Sequence, residues 1–86
     1  MDDAMAEPIE ELAVLDLRIS ECERHITEQT ERVAQMKTRG QNVEDSEQLL
    51  SNLANSLFAL QQLRKLVSQE VREGQREQRR YSVRDS

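Results

Sequence analysis

Cys22 and His25 stand three residues apart. On a helix that spacing makes them neighbours one turn apart. Two copies of the chain would then bring together a Cys2His2 donor set of the kind that holds tetrahedral zinc. A Cys–His pair can also serve nucleophilic thiol chemistry, but that needs an orienting third group, oxyanion donors and a concave site. The simpler reading makes Cys22 a small apolar residue on a buried line and His25 its polar neighbour. No metal, no cofactor and no catalytic residue are expected, and the chain is read as non-enzymatic.

A second constellation is basic. Arg72, Arg76, Arg79 and Arg80 follow i, i+4, i+7, i+8 spacing and form a stripe that, with Arg84, could contact phosphates. Glu70, Glu73 and Glu77 are interleaved with it, and Tyr81 is its only nearby aromatic. The expected role is a solvated, ion-paired face, with nucleic acid or an acidic surface as the alternative partner. Arg79-Arg80-Tyr81-Ser82 matches a basophilic-kinase pattern, but the match is too short to select against chance. Gln29 and Arg64 interrupt lines that are otherwise apolar. Polar residues there lower stability and exclude slipped pairings, and Arg64 can lay its stem on the core and send its charge outward.

Composition bounds what these residues can belong to. The 86-residue chain has one Tyr, one Phe and no Trp, and 34% of it is charged. That is the material of long amphipathic helices, not of an aromatic globular core. A net charge of −5 disfavours general affinity for nucleic acid or anionic membrane. No apolar run approaches the ~20 residues that span a bilayer, and the acidic start Met1-Asp2-Asp3 is unlike the basic start of a secretory leader. A single cysteine forms no internal disulfide and suits a reducing cytoplasm.

The elements that position these groups turn on Gly40-Gln41-Asn42. Gly40 suits the left-handed residue that ends a helix, and Lys37 and Arg39 place positive charge at that end. Asn42 is a good N-cap, with Asp45 three residues on to complete a capping box and Glu44 adding first-turn negative charge. A stop and a start therefore lie two residues apart, and the chain is expected to fold as an antiparallel two-helix hairpin, all-α and coiled-coil-like. The first helix spans 8–39, opening on Pro8 at its first position. The turn is 40–42 and the second helix spans 43–78. Residues 1–7 are read as a frayed acidic terminus and 79–86 as a flexible basic tail. Gly74 weakens the second helix by about 1 kcal/mol relative to alanine.

Heptad lines support this reading. Leu12, Ile19, Ile26 and Val33 form one core line of the first helix, and Leu15, Cys22, Gln29 and Met36 the other. The second helix offers Leu50, Leu53, Leu57, Leu60, Arg64, Val67 and Val71, with Leu49 and Leu63 flanking and Ala59 and Leu66 further round. Folding at Gly40 brings residues whose numbers add to about 83 to one level, so Val33 meets Leu50, Ile26 meets Leu57, Cys22 meets Leu60 and Leu12 meets Val71. Residues 1–23 carry eight acids and one base, and residues 64–86 seven bases and four acids. An antiparallel hairpin sets these arms side by side, although each exposed pair is worth only ~0–1 kcal/mol.

His25-Ile26-Thr27-Glu28-Gln29, Arg32-Val33, the Gly40-Gln41-Asn42-Val43 turn and Ser46-Glu47-Gln48-Leu49-Leu50 together resemble a group of short conserved hypothetical proteobacterial proteins. In that group an H-I-x-E segment precedes a basic helix end, a G-H-D-T-like turn and an A-E-x-L-L segment. The similarity covers roughly residues 20–60. It implies a two-helix fold and a bacterial cytoplasmic setting, and it implies no activity.

Val14 and Leu17 lie off the seam of the first helix, more than 100° from its centre, and Leu63 and Leu66 lie off that of the second at the same level. This surplus reads as a second apolar belt, because so small a hairpin buries little alone. The expectation is a homodimer forming a four-helix bundle, a protein–protein interaction module whose interface is Val14, Leu17, Leu63 and Leu66. Another helical protein is the alternative occupant.

Overall fold

The computed structural model describes residues 6–84, and side chains over residues 7–76. Two helices make up the described chain: α1 (Ala6–Thr38) and α2 (Glu44–Arg84). After Pro8 no glycine or proline interrupts α1. Its three mid-helix and late threonines, Thr27, Thr30 and Thr38, each donate their hydroxyl to the carbonyl four residues back, which satisfies the group without breaking the helix.

The helix ends where the sequence places the stop. Gly40 has φ 71°, the left-handed conformation that glycine adopts without a Cβ penalty. Gln41 N–H donates to Met36 O at 2.9 Å and Gly40 N–H to Lys37 O at 3.0 Å. These are the paired 6→1 and 5→2 bonds that close a Schellman motif and satisfy the last carbonyls of α1. Asn42 caps α2: its Oδ1 accepts from the Glu44 N–H at 3.0 Å, and the first helical bond runs from Glu47 N–H to Val43 O. The cap therefore uses the Glu44 N–H and not that of Asp45, so the expected capping box is reduced to a one-sided Asn cap. Glu44, Asp45 and Glu47 crowd the first turn, where the helix dipole favours negative charge.

The two helices pack along one seam. Every residue expected on the two lines of α1 is buried or half-buried, and so is every one on the α2 line except Arg64. Val43 and Ser46 extend the α2 line toward the turn, and Gly74 extends it the other way, in unbroken 3-4 alternation. The most enclosed side chains are Leu15 and Val67, each 3% exposed.

Cross-seam bonds set the register. Cys22 Sγ lies 3.4 Å from Leu53 O, and Gln29 Nε2 donates to Ser46 O at 3.4 Å. Each partner in the second bond is seven residues from its counterpart in the first, so the same contact recurs one heptad along. Ser46 Oγ meets Met36 Sδ near the turn, and Arg64 meets Asp16 toward the other end. These four contacts join residues whose numbers add to between 75 and 82. The helices are antiparallel as expected, with the level a little under the 83 inferred from the turn alone.

Helix α2 runs to Arg84, beyond the end at 78 that the sequence suggested. A single glycine at 74 costs about 1 kcal/mol, and the Arg, Glu and Gln that follow it are all good helix formers. Helix α1 opens at Ala6, two residues ahead of Pro8, so Ala6 and Glu7 of the terminus expected to fray over 1–7 are helical; residues 1–5 of that terminus lie outside the described residues.

Candidate interaction surface

The seam organises the chemistry-bearing residues first. Cys22 points into it, 8% exposed, with its sulfur at the Leu53 carbonyl. His25 lies outside on the flank, exposed to solvent. Among the described residues no three His, Cys, Asp or Glu side chains gather as a metal would require. The two residues that interrupt the apolar lines behave differently. Gln29 stays half-buried and reaches a backbone carbonyl of the other helix. Arg64 leaves the seam, and its Nε–H donates to the Asp16 carboxylate while about half of each side chain remains solvated. The hydrogen bond from Arg64, aided by its charge, holds the Asp16 carboxyl below the usual carboxylate range. The same bond raises Arg64 above its ordinary value. The sequence singled out Arg64 but not its partner, which only a fixed register identifies.

The seam has two flanks. On one, Arg18, Glu21 and His25 of α1 face Ser56, Ala59 and Leu63 of α2 across a shallow open groove above Cys22 and Leu60. On the other, Thr30, Ala34 and Lys37 face Glu47, Ser51 and Ala54 over Val33 and Leu50. Further along α2 a polar groove is lined by Gln61, Gln62, Arg64, Lys65, Ser68 and Arg72.

All four residues expected at an interface are exposed: Val14, Leu17, Leu63 and Leu66. They do not form one patch of equal parts. Leu63 and Leu66 continue a line on α2 that includes Leu49, also exposed. Val14 and Leu17 sit progressively farther round α1 from the seam, and Leu17 is 61% exposed. Phe58, the sole phenylalanine, is 63% exposed on the opposite side of α2, and Ile9 is exposed near the start of α1.

A stronger signal than the belt lies in the sequence of α2. From Gln48 to Leu63, sixteen consecutive residues carry no charge, in a chain that is 34% charged. At the same level α1 carries Asp16, Arg18, Glu21, Glu23, Arg24, Glu28 and Glu31. Mapping charge along each helix separately reveals the contrast, which scoring apolar positions alone misses. In the basic stripe, Arg72 and Arg76 are exposed. Arg79 and Arg80 fall within the backbone of α2, and their side chains lie outside the described ones.

Among the described residues no helix is long and apolar enough to cross a membrane. No protein-family model, no curated protein and no solved structure matches this chain.

Proposed function

We propose that this chain is a non-enzymatic protein–protein interaction module, an adaptor or small regulator of the bacterial cytoplasm. It acts through an apolar helical face and self-associates as a homodimer that forms a four-helix bundle. The observation that carries the reading is the imbalance of burial. Among the described residues only Leu15, Cys22, Val33 and Val67 are buried, while Ile9, Val14, Leu17, Leu49, Phe58, Leu63 and Leu66 remain exposed. Full burial of one such side chain contributes about 1.5–3 kcal/mol, so much of the hairpin's apolar stabilisation is still available to a partner. A two-fold contact lets the same surface serve both copies. Analytical ultracentrifugation across low to high micromolar concentration tests this. The reading expects a dimer, and a monomer throughout would refute it.

A second reading is favoured by the polar groove on α2, where Lys65 and Arg72 stand together with Arg76 exposed one turn on. There the chain binds nucleic acid or an acidic surface, and Arg79 and Arg80 extend the stripe. Fluorescence anisotropy with a labelled oligonucleotide, repeated with Arg72→Glu/Arg76→Glu, tests it. Binding that weakens steeply with salt and disappears in the variant supports it.

A further inference from the structure

The uncharged stretch of α2 exposes a face of its own. Leu49, Ser56, Ala59, Leu63 and Leu66 fall within a 100° arc at 100° per residue. Ser56, Ala59 and Leu63 line the groove beside Cys22, which places the whole arc on that flank. The α1 half of the same flank is mostly charged or polar, through Arg18, Glu21 and His25 and, one heptad outward, Glu11 and Arg32, with Val14 the one exposed apolar side chain in that arc.

A second copy can dock flank to flank in two symmetric ways. With the two-fold axis along the hairpin, the turns lie together and the uncharged arc of α2 rests on the charged side of the other α1. Burying those charges against apolar groups is unfavourable. With the axis across the hairpin, the turns lie at opposite ends and α2 packs antiparallel on α2. The uncharged arc then meets its own copy, and the charged flank of α1 meets its own copy rather than apolar surface.

Position agrees with the second arrangement. The arc from Leu49 to Leu66 is centred at Leu57–Phe58. Its middle residues share the groove with Cys22, and Cys22 is the midpoint of α1 (Ala6–Thr38). An axis at that level overlaps the full length of α1 in both copies. Leu49 then lies opposite Leu66, Asn52 opposite Leu63, and Ser56 opposite Ala59. Helix α1 is about 50 Å long and the hairpin is 16–18 Å across. The flank thus offers about 800 Å² per copy, the size a stable dimer uses.

The geometry points to a homodimer in which the Leu49–Leu66 arc of α2 packs on the same arc of a second copy, with the two Gly40 turns at opposite ends of the bundle. It rests on the self-association proposed above and adds which flank and which orientation.

The test uses the full chain with Cys22→Ala and Gln41→Cys, spin-labelled at the turn and measured by pulsed dipolar spectroscopy, after circular dichroism confirms the helices. Labels at opposite ends lie about 50 Å apart, the length of α1; labels at one end lie closer than about 25 Å. In parallel, Ala59→Glu in the otherwise native chain should weaken the dimer at least tenfold by sedimentation, because Ala59 lies beside the axis, opposite Ser56 of the second copy. Ser51→Glu on the opposite flank should change it less than threefold. A dimer with the short distance, or with Ser51→Glu the more disruptive change, overturns this arrangement and leaves self-association standing. A wild-type monomer at high micromolar concentration overturns both.

Discussion

Arg64 leaves the seam of α2 and donates to the Asp16 carboxylate of α1, across the end of the hairpin remote from the turn. The contact bridges the two helices at that level without burying either group. It also makes the hairpin sensitive to acid. Asp16 titrates below its ordinary value when folded, chiefly through the hydrogen bond from Arg64. Its contribution is complete above the unfolded value of about 3.9 and is lost as pH falls through the lowered folded one. Arg64 remains charged throughout that range. Thermal melts between pH 2 and 7 should show stability falling below about pH 4, and Asp16→Asn should flatten that fall while lowering stability slightly at neutral pH. The effect is small because both groups are solvated. An unchanged acid limb in Asp16→Asn would mean that the pair does not form in solution.

The turn carries the next expectation. Gly40 has φ 71° with nothing within 4 Å of where a Cβ would stand, so a substitution there meets backbone strain and no clash. Gly40→Val should therefore cost more than Gly40→Asn, because a β-branched residue resists positive φ while asparagine tolerates it. Asn42→Ala should cost about 1 kcal/mol through the lost cap. Urea denaturation midpoints read all three. Equal midpoints for Gly40→Val and Gly40→Asn would contradict the conformational argument.

Much of this turn was legible in the sequence because its signals are local: a glycine, basic residues before it and an asparagine after it. The heptad lines were legible for a related reason. A 3-4 alternation maintained from Leu12 to Met36 and from Leu50 to Val71 leaves little choice of seam, and every member but Arg64 is enclosed. What needs two helices at once was harder to read. The Asp16–Arg64 pair depends on register, and counting from the turn alone sets the level slightly too high. The α2 line read from the sequence began at Leu50, yet Ser46 is half-buried because it continues the seam. The belt of Val14, Leu17, Leu63 and Leu66 was drawn from apolar surplus alone, so it missed that α2 is uncharged from Gln48 to Leu63.

Cys22 separates a packing role from a metal role. With its sulfur enclosed at the Leu53 carbonyl, Cys22→Ala should keep the helical content with a modest drop in melting temperature, from a small cavity and one weak contact. EDTA should leave the melting curve unchanged. A large fall in Tm with EDTA would show that the chain holds a metal after all.

The belt makes a sharper demand. Leu17 and Leu66 are among the most exposed leucines of the chain, so in an isolated hairpin charged substitutions there should be nearly silent, within about ±0.5 kcal/mol. In a dimer they sit at or beside buried surface. Leu17→Glu with Leu66→Glu should then give a partly unfolded monomer whose stability no longer rises with protein concentration. A double variant as stable and as large as the wild type would remove both residues from the interface.

Self-association is the claim on which the functional account rests, and sedimentation equilibrium of the wild-type chain from about 1 to 200 μM, a range that spans ordinary dimer affinities, tests it most directly. The account predicts a mass moving from near 10 kDa toward twice the chain mass of 10.0 kDa, with Tm rising alongside. A constant monomer mass and a Tm independent of concentration would contradict it.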